Sequence, residues 1–321
     1  MHKMRRNLIC TIALLIELLA VSVVGASPRP DQLPDNVEVR QVTIWSEGSR
    51  LDGDLYMPRG LESGEKYPAI VMSHGWGGTK KKLQAEAAKF AAAGYITLTF
   101  TYRGWGDSEG KMVLLDGMPE LDESNEATVK VRFIRELVDP MDWIQDYRAA
   151  LDYIEGEPQV DTNRIGAWGT SYGGGIVVWS AANDDRIAVA VSQVGAMLVP
   201  TGKMMTLAKQ RATDIARGGI DHAFQDKIEA LKGTPNYAKM IQYDAVSMAS
   251  RVKAPTLLMD AEYEQLFDPR DAGQRVFQTI RSHGTTPVRY EVIPGIKHWE
   301  VYTKGFTQGT DLALEWFDKY L

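Results

Sequence analysis

The sequence has very few cysteines and histidines and no long basic stretch. One cysteine among 321 residues excludes a fold held by disulfide bonds, and nothing indicates a cysteine-ligated metal. A formal net charge of −6 without a basic patch argues against a nucleic-acid partner. Hydrophobic residues make up 44% of the chain, enough to bury a core, which argues against disorder. What remains is a globular protein with no implied metal or organic cofactor.

The first 26 residues have the layout of a secretory signal peptide. Three basic residues precede an apolar run at residues 8–24, which ends in small residues. Cleavage after Ala26 removes Cys10 and changes the net charge from −6 to −8, because three basic residues and one acidic residue leave. The sequence therefore predicts a secreted or periplasmic protein without thiols and without a stable membrane span after processing. The alternative is an uncleaved N-terminal membrane anchor.

Residues 27–321 alternate between strand and helix patterns, as expected of one α/β domain. The predicted strands cover residues 37–45, 51–57, 69–73, 95–102, 164–168, 187–194, 255–259 and 288–293. The predicted helices cover residues 80–93, 141–154, 172–182, 268–282 and 308–320. This alternation predicts a mostly parallel central sheet with helices on both faces and a ligand site beyond the carboxyl ends of the strands. Residues 197–250 lack a strand pattern and are predicted to form an inserted helical lid.

A short glycine-flanked segment carries the strongest chemical signal. Gly169-Thr170-Ser171-Tyr172-Gly173 matches the pattern G-x-S-x-G, and it lies between a predicted strand and a predicted helix. Small flanking residues permit a sharp turn that places the serine hydroxyl at the helix N-terminus, where amides and the dipole stabilise negative charge. The alternative is a Gly/Ser turn without chemistry. The strand-turn-helix context favours Ser171 as a nucleophile.

An activated serine needs a base, and four histidines remain once the signal is removed. His298 comes shortly after the predicted strand at residues 288–293, late in the chain, where the order serine, acid, histidine places the base. His74 follows the third predicted strand, His222 lies in the lid and His283 ends a predicted helix. The sequence therefore favours His298 as the general base and acid.

Four carboxylates compete to orient this histidine. Asp260, Glu262, Glu264 and Asp268 all follow the predicted strand at residues 255–259. Glu264 lies a few residues into the turn, where its side chain can point back to an imidazole, whereas Asp260 ends the strand and Asp268 resembles a helix cap. Glu264 is the favoured orienting acid and Asp260 is the alternative.

Stabilisation of an oxyanion needs amide donors near the serine. One candidate is the backbone amide of Tyr172, and the second is the amide of Trp76 in the glycine-rich loop at residues 73–78. Glycines in this loop let the backbone approach a substrate. The loop matches neither the Walker nor the Rossmann spacing, which argues against a phosphate-binding loop.

Several segments together resemble an α/β-hydrolase, of the branch that includes dienelactone-hydrolase-like and Xaa-Pro-peptidase-like serine hydrolases. They are the opening hairpin and residues 71–77, 102–110, 169–173, 253–258 and 293–298. The resemblance implies the α/β-hydrolase fold with a Ser-acid-His triad. Two departures stand out: Glu264 occupies the place of the usual aspartate, and Ser171 replaces the cysteine of the dienelactone hydrolases.

The sequence thus predicts a carboxylesterase that cleaves a small-molecule ester or amide through an acyl-enzyme. Two lid segments, residues 204–207 and 237–243, are candidates for an acyl pocket or for the core of the lid. One alternative is a peptidase for short peptides, in which acidic residues hold the peptide amine; the candidates are Glu120, Asp122, Glu123 and Glu126. A second alternative is a non-catalytic binding protein on the same scaffold. The sequence does not predict an oligomeric state.

Overall fold

The computed structural model describes residues 33–197, 201–221 and 231–321. The predicted signal peptide at residues 1–26 and His222 lie outside these ranges. Within them, no helix combines the length and the apolar character needed to cross a bilayer. The same ranges contain no group of three His, Cys, Asp or Glu side chains placed to hold a metal ion.

The first half of the domain alternates strands and helices. It comprises the hairpin β1 (Val37–Ser46) and β2 (Ser49–Pro58), then β3 (Tyr67–Ser73), α1 (Gln84–Ala92) and β4 (Ile96–Phe100). Three short strands follow, namely β5 (Met112–Leu114), β6 (Val131–Phe133) and β7 (Leu137–Val138). Next come α2 (Pro140–Glu155), β8 (Val160–Thr170), α3 (Tyr172–Ala181) and β9 (Ile187–Gln193).

The second half begins with an insertion and then returns to the sheet. The described part of the insertion contains α4 (Gly202–Ala216), β10 (Thr234–Pro235), α5 (Tyr237–Met240) and α6 (Ala245–Met248). The chain then forms β11 (Thr256–Tyr263), α7 (Gly273–His283), β12 (Val288–Lys297) and α8 (Phe306–Tyr320).

Eight of these strands form one sheet in the order β1-β2-β4-β3-β8-β9-β11-β12. The β1–β2 and β2–β4 pairs are antiparallel and all other neighbours are parallel. Neighbouring residues of one strand pack into two separate hydrophobic clusters: Val71 joins the cluster with Trp143 of α2, and Met72 joins the cluster with Phe90 of α1. Since successive strand residues point to opposite faces, helices cover both faces of the sheet. The predicted α/β-hydrolase fold with a mostly parallel sheet is confirmed.

The insertion differs from its prediction in one detail. No strand was expected between residues 197 and 250, but Thr234 and Pro235 form the short strand β10, which pairs in parallel with β7. The Asn236 amide extends this pairing by donating to the Val138 carbonyl over 2.9 Å. A Thr-Pro pair has no strand pattern of its own, so only the contact with a distant segment creates this strand.

Candidate active site

Ser171 lies in a sharp turn between β8 and α3. Its backbone has φ +53° and ψ −127°, in the left-handed half of conformational space that non-glycine residues rarely adopt. A Cβ on Gly169 would lie 2.2 Å from the Gly173 carbonyl oxygen, and a Cβ on Gly173 would lie 2.4 Å from the Ser73 carbonyl oxygen. The turn therefore exists only because both flanking positions lack side chains. It places the serine at the N-terminus of α3.

A chain of hydrogen bonds connects Ser171, His298 and Glu264. The Ser171 Oγ atom lies 3.0 Å from His298 Nε2, and His298 Nδ1 lies 2.7 Å from Glu264 Oε2. The side chains of His298 and Glu264 are 0% and 1% exposed. A carboxylate at Nδ1 selects the tautomer that carries its proton there, which leaves Nε2 to accept the serine proton. The structure thus brings together the three residues favoured by the sequence.

Glu264 and His298 meet because they follow adjacent strands. Strands β11 and β12 pair in parallel as far as Tyr263 and Lys297, and Glu264 and His298 come directly after this last pair. The Gln265 side chain also connects the two loops, since its Oε1 atom accepts the His298 amide over 3.3 Å. The sheet register therefore sets the distance between the carboxylate and the imidazole.

Asp260, the alternative acid, faces another part of the structure. Its Oδ2 atom accepts the Tyr290 hydroxyl over 2.9 Å, and a Cβ on Gly273, the first residue of α7, would lie 2.4 Å from the same oxygen. Burial raises the pKa of Asp260 to about 7. Its other oxygen has no hydrogen-bond partner among the described residues, so Asp260 makes no bond to His298.

The two remaining carboxylates support local backbone. Glu262 accepts the Gly295 amide over 2.7 Å. Asp268 caps a short 3-10 turn by accepting the Arg270 amide over 2.9 Å, and it also forms an ion pair with that side chain. Neither contacts the imidazole, so of the four candidates the structure places only Glu264 beside His298.

The side chains of the other described histidines form their hydrogen bonds with groups other than Ser171. His74 is buried, with Nδ1 donating to the Gly75 carbonyl over 2.9 Å, and burial lowers its pKa to about 4. His283 lies at the end of α7, where its Nδ1 atom is 2.8 Å from the Thr279 carbonyl oxygen.

Two backbone amides flank the turn that carries Ser171. Tyr172 opens α3, and Trp76 follows Gly75, whose backbone runs so close that a Cβ there would lie 2.7 Å from Ser171 Cβ. Neither amide donates to an acceptor within the described ranges. The Trp76 indole donates to the Lys232 carbonyl over 2.9 Å, and its ring meets the Tyr172 ring edge-on at 5.8 Å. The insertion therefore holds the loop that carries the Trp76 amide.

A second set of hydrogen bonds, which sequence reasoning missed, connects the serine and histidine segments. The Tyr302 hydroxyl lies 2.9 Å from Thr170 Oγ1, and the Gln193 side chain donates to the same oxygen over 3.4 Å. The Ser171 amide donates to the Gln193 carbonyl over 2.9 Å. Three distant segments meet here, and the only signal in the sequence is that Tyr302 lies about one helical turn after His298.

The two lid segments proposed for an acyl pocket differ in their placement. Met204 and Leu207 on α4 are 44% and 39% exposed. Tyr243, by contrast, is buried, and its ring packs nearly parallel to that of Tyr172 at 5.7 Å. The structure thus brings the segment at residues 237–243, rather than the exposed face of α4, against the residue that follows Ser171.

Known proteins resemble this chain over much of its length. Quorum-quenching protein AidA of Acinetobacter baumannii (strain MDR-ZJ06) is 36% identical over 167 residues, which are 52% of this chain and 46% of AidA. The match therefore spans less than half of AidA. The uncharacterized 31.7 kDa protein in the traX-finO intergenic region of Escherichia coli is 28% identical over 297 residues, 81% of this chain and 93% of that protein.

A solved structure and two family models agree on the fold. The crystal structure of hypothetical protein PA2218 from Pseudomonas aeruginosa superimposes with a TM-score of 0.67 at 19% identity, covering 94% of this chain and 99% of that one. The model of the X-Pro dipeptidyl-peptidase (S15) family matches residues 47–204. The model of the prolyl oligopeptidase family matches residues 141–321, more than half of the chain. The chain belongs to the prolyl oligopeptidase family, within the α/β-hydrolase superfamily.

Proposed function

We propose that the protein is a serine carboxylesterase. The observation that carries this proposal is the hydrogen-bond chain from Ser171 through His298 to Glu264. The Ser171 oxygen attacks the acyl carbonyl while His298 Nε2 takes its proton, and the same nitrogen then protonates the departing alcohol. Glu264 holds the imidazole in the required tautomer and stabilises the imidazolium. Water then hydrolyses the acyl-enzyme by the reverse proton transfers and releases the acid.

The amides of Tyr172 and Trp76 are the proposed oxyanion donors. Both lack acceptors within the described part of the chain, and both flank the serine turn. Such donors act on charge that develops only in the transition state, and removal of one typically costs about 10² to 10³ in rate. The position of Trp76 depends on its indole bond to Lys232, so the insertion takes part in building this donor pair.

An ester is favoured over a peptide because the acidic segment offers no buried amine site. Its four candidate residues are all exposed: Glu120, Asp122, Glu123 and Glu126. Asp122 instead accepts the amides of Ser124 and Glu126, each over 2.8 Å, which is a turn within the segment. An exposed carboxylate attracts an ammonium group only weakly in a high dielectric, so these residues are poor anchors for a peptide terminus.

The substrate class is tested by direct comparison of esters with amides. Purified protein is assayed with p-nitrophenyl acetate and butyrate and with dipeptide p-nitroanilides, including those with proline before the anilide. We expect ester turnover without measurable anilide turnover, after subtraction of the rate with the Ser171→Ala variant. Anilide turnover above ester turnover would identify a peptidase, and the absence of any turnover would contradict the esterase proposal.

We further propose that the protein is exported. The support is the order of basic, apolar and small residues in the first 26 positions. The full chain is expressed in a Gram-negative host, and the extracytoplasmic product is analysed by intact-mass spectrometry. The expected product begins at Ser27. A membrane-bound product that keeps residues 1–26 would show an anchor, and a cytoplasmic full-length product would contradict export.

A further inference from the structure

Four buried polar atoms close to the serine turn have no hydrogen-bond partner among the described residues. They are Trp143 Nε1, Tyr172 Oη, Asn236 Oδ1 and Tyr243 Oη. The side chains that carry them are at most 8% exposed. Folded proteins pair nearly all of their buried polar atoms, so several unpaired atoms in one place need a specific explanation.

Three of these side chains form one aromatic group centred on Tyr172. The Tyr172 ring meets the Trp143 ring edge-on at 5.5 Å and lies 5.7 Å from the Tyr243 ring. The Tyr243 hydroxyl lies against α3, because a Cβ on Gly175 would be 2.4 Å from it. Tyr172 and Trp143 belong to the hydrolase core and Tyr243 to the insertion, so the group lies at the boundary between them.

Asp139 is an acidic residue beside this group, and it affects which ligand charge the group can accept. The Asn236 amide nitrogen donates to Asp139 Oδ2 over 2.8 Å, which orients the side chain and leaves Asn236 Oδ1 as an acceptor. Burial, and secondly the charge of Asp139, raise the pKa of Tyr172. Tyr172 therefore keeps its proton and stays a donor, and the nearby carboxylate disfavours an anionic ligand.

The geometry of the proposed reaction separates the two halves of the ester. The leaving alcohol must receive its proton from His298 Nε2, so it departs on the His298 side. The aromatic neighbours of that imidazole are Phe267 and Trp299, with ring centroids 5.8 Å and 5.0 Å away. Neither belongs to the group around Tyr172. This leaves the group around Tyr172, the residue that follows Ser171, as the candidate for the acyl half of a substrate.

We propose that Trp143, Tyr172, Tyr243 and Asn236 form a subsite for a neutral hydroxyl or ketone oxygen on the acyl group of the substrate. This inference rests on the proposed esterase function. Two phenols and an indole supply donors, and Asn236 supplies an acceptor, which suits a neutral oxygen function. A purely hydrocarbon acyl chain would leave these atoms unpaired, and sites of this kind discriminate strongly against analogues that lack the polar group.

The test compares ester pairs that differ only in one oxygen function. The p-nitrophenyl esters are hexanoate against 5-oxohexanoate, and 3-phenylpropanoate against 3-(4-hydroxyphenyl)propanoate. We expect the wild type to favour the oxygenated member of at least one pair by about 10-fold or more in kcat/KM. Tyr172→Phe and Tyr243→Phe should each bring that ratio close to unity. No preference in either pair, or a preference that survives in both variants, would overturn the subsite.

A matched control distinguishes the subsite from ordinary packing. Tyr95 is also buried, but its hydroxyl donates to Asp318 over 2.6 Å. Tyr95→Phe should lower Tm and leave the ester ratio unchanged, whereas Tyr243→Phe should keep or raise Tm because its hydroxyl has no partner to lose. An equal loss of Tm in both variants would show that the Tyr243 hydroxyl is structurally bonded and would contradict the proposal.

Binding to the Ser171→Ala variant separates failure of the subsite from failure of the esterase proposal. Calorimetry with the corresponding methyl esters measures affinity without turnover. Tighter binding of the oxygenated ester, lost in the double variant with Tyr243→Phe, supports the subsite even if the wild type hydrolyses no ester. Ester turnover by the wild type without any difference in affinity rejects the subsite and leaves the esterase proposal intact.

Discussion

Replacement of Ser171 by alanine is expected to lower kcat/KM for ester hydrolysis by about 10⁴-fold or more. The Ser171 oxygen is the group that His298 Nε2 contacts, at 3.0 Å, and the only cysteine of the chain, Cys10, precedes the domain. No thiol is therefore available in the domain to replace the hydroxyl. Steady-state kinetics with p-nitrophenyl butyrate measure the loss. Mass spectrometry of the wild type after treatment with a fluorophosphonate should place the adduct on Ser171.

Ser192→Ala is the matched control for this substitution. Ser192 is buried below the same helix, since a Cβ on Gly174 would lie 2.7 Å from its Oγ atom. Its hydroxyl has no hydrogen-bond partner among the described residues, so its removal disturbs little. This variant should keep its activity within about 3-fold of the wild type. Loss of activity in both variants, or turnover that survives Ser171→Ala, would contradict a nucleophilic role for Ser171.

The parts of the fold that the sequence predicts well depend on local sterics and on continuous apolar runs. Gly169 and Gly173 indicate the serine turn because any side chain there would overlap backbone at 2.2 to 2.4 Å. Strand β4 is buried at all five positions, and its β-branched and aromatic residues identify it without knowledge of its neighbours. Both signals are contained in short segments, so the sequence alone is enough to predict them.

The contacts that depend on distant segments were not predictable. Lys232 holds Trp76 through a backbone carbonyl, which carries no side-chain signal. The choice between Asp260 and Glu264 also depends on distant segments, because the sequence places both residues after the same strand. A register shift between Ala261 and Tyr263, where β11 pairs with β12, separates the two environments. Beyond the shift Glu264 faces the imidazole, and before it Asp260 faces α7. A single irregularity in strand pairing is not visible in one sequence.

Replacement of Glu264 by glutamine is expected to lower kcat by about 10² to 10⁴-fold, with a much smaller change in KM. Glutamine keeps the size of the side chain but removes the charge that stabilises the imidazolium. In the wild type, His298 Nδ1 lies 2.7 Å from a carboxylate oxygen of Glu264. The amide nitrogen of glutamine can take the place of that oxygen and donate to Nδ1, which favours the tautomer with its proton on Nε2. Stopped-flow kinetics should show slower acylation of Ser171, and circular dichroism should show an unchanged fold. Activity close to that of the wild type would remove Glu264 from the mechanism.

Asp260→Asn is the matched control, because it neutralises a second buried carboxylate only four residues earlier. Burial raises the Asp260 pKa from its ordinary value of 3.8 to about 7, so the folded state holds this proton more tightly than the unfolded chain. Asp260 therefore favours folding at low pH, and this contribution is lost as the pH rises from about 4 to about 7. Asparagine does not titrate, so Asp260→Asn should raise Tm more at pH 8 than at pH 5 while activity stays near that of the wild type. Should Asp260→Asn alone lose activity with its fold intact, Asp260 and not Glu264 would be the residue that orients His298.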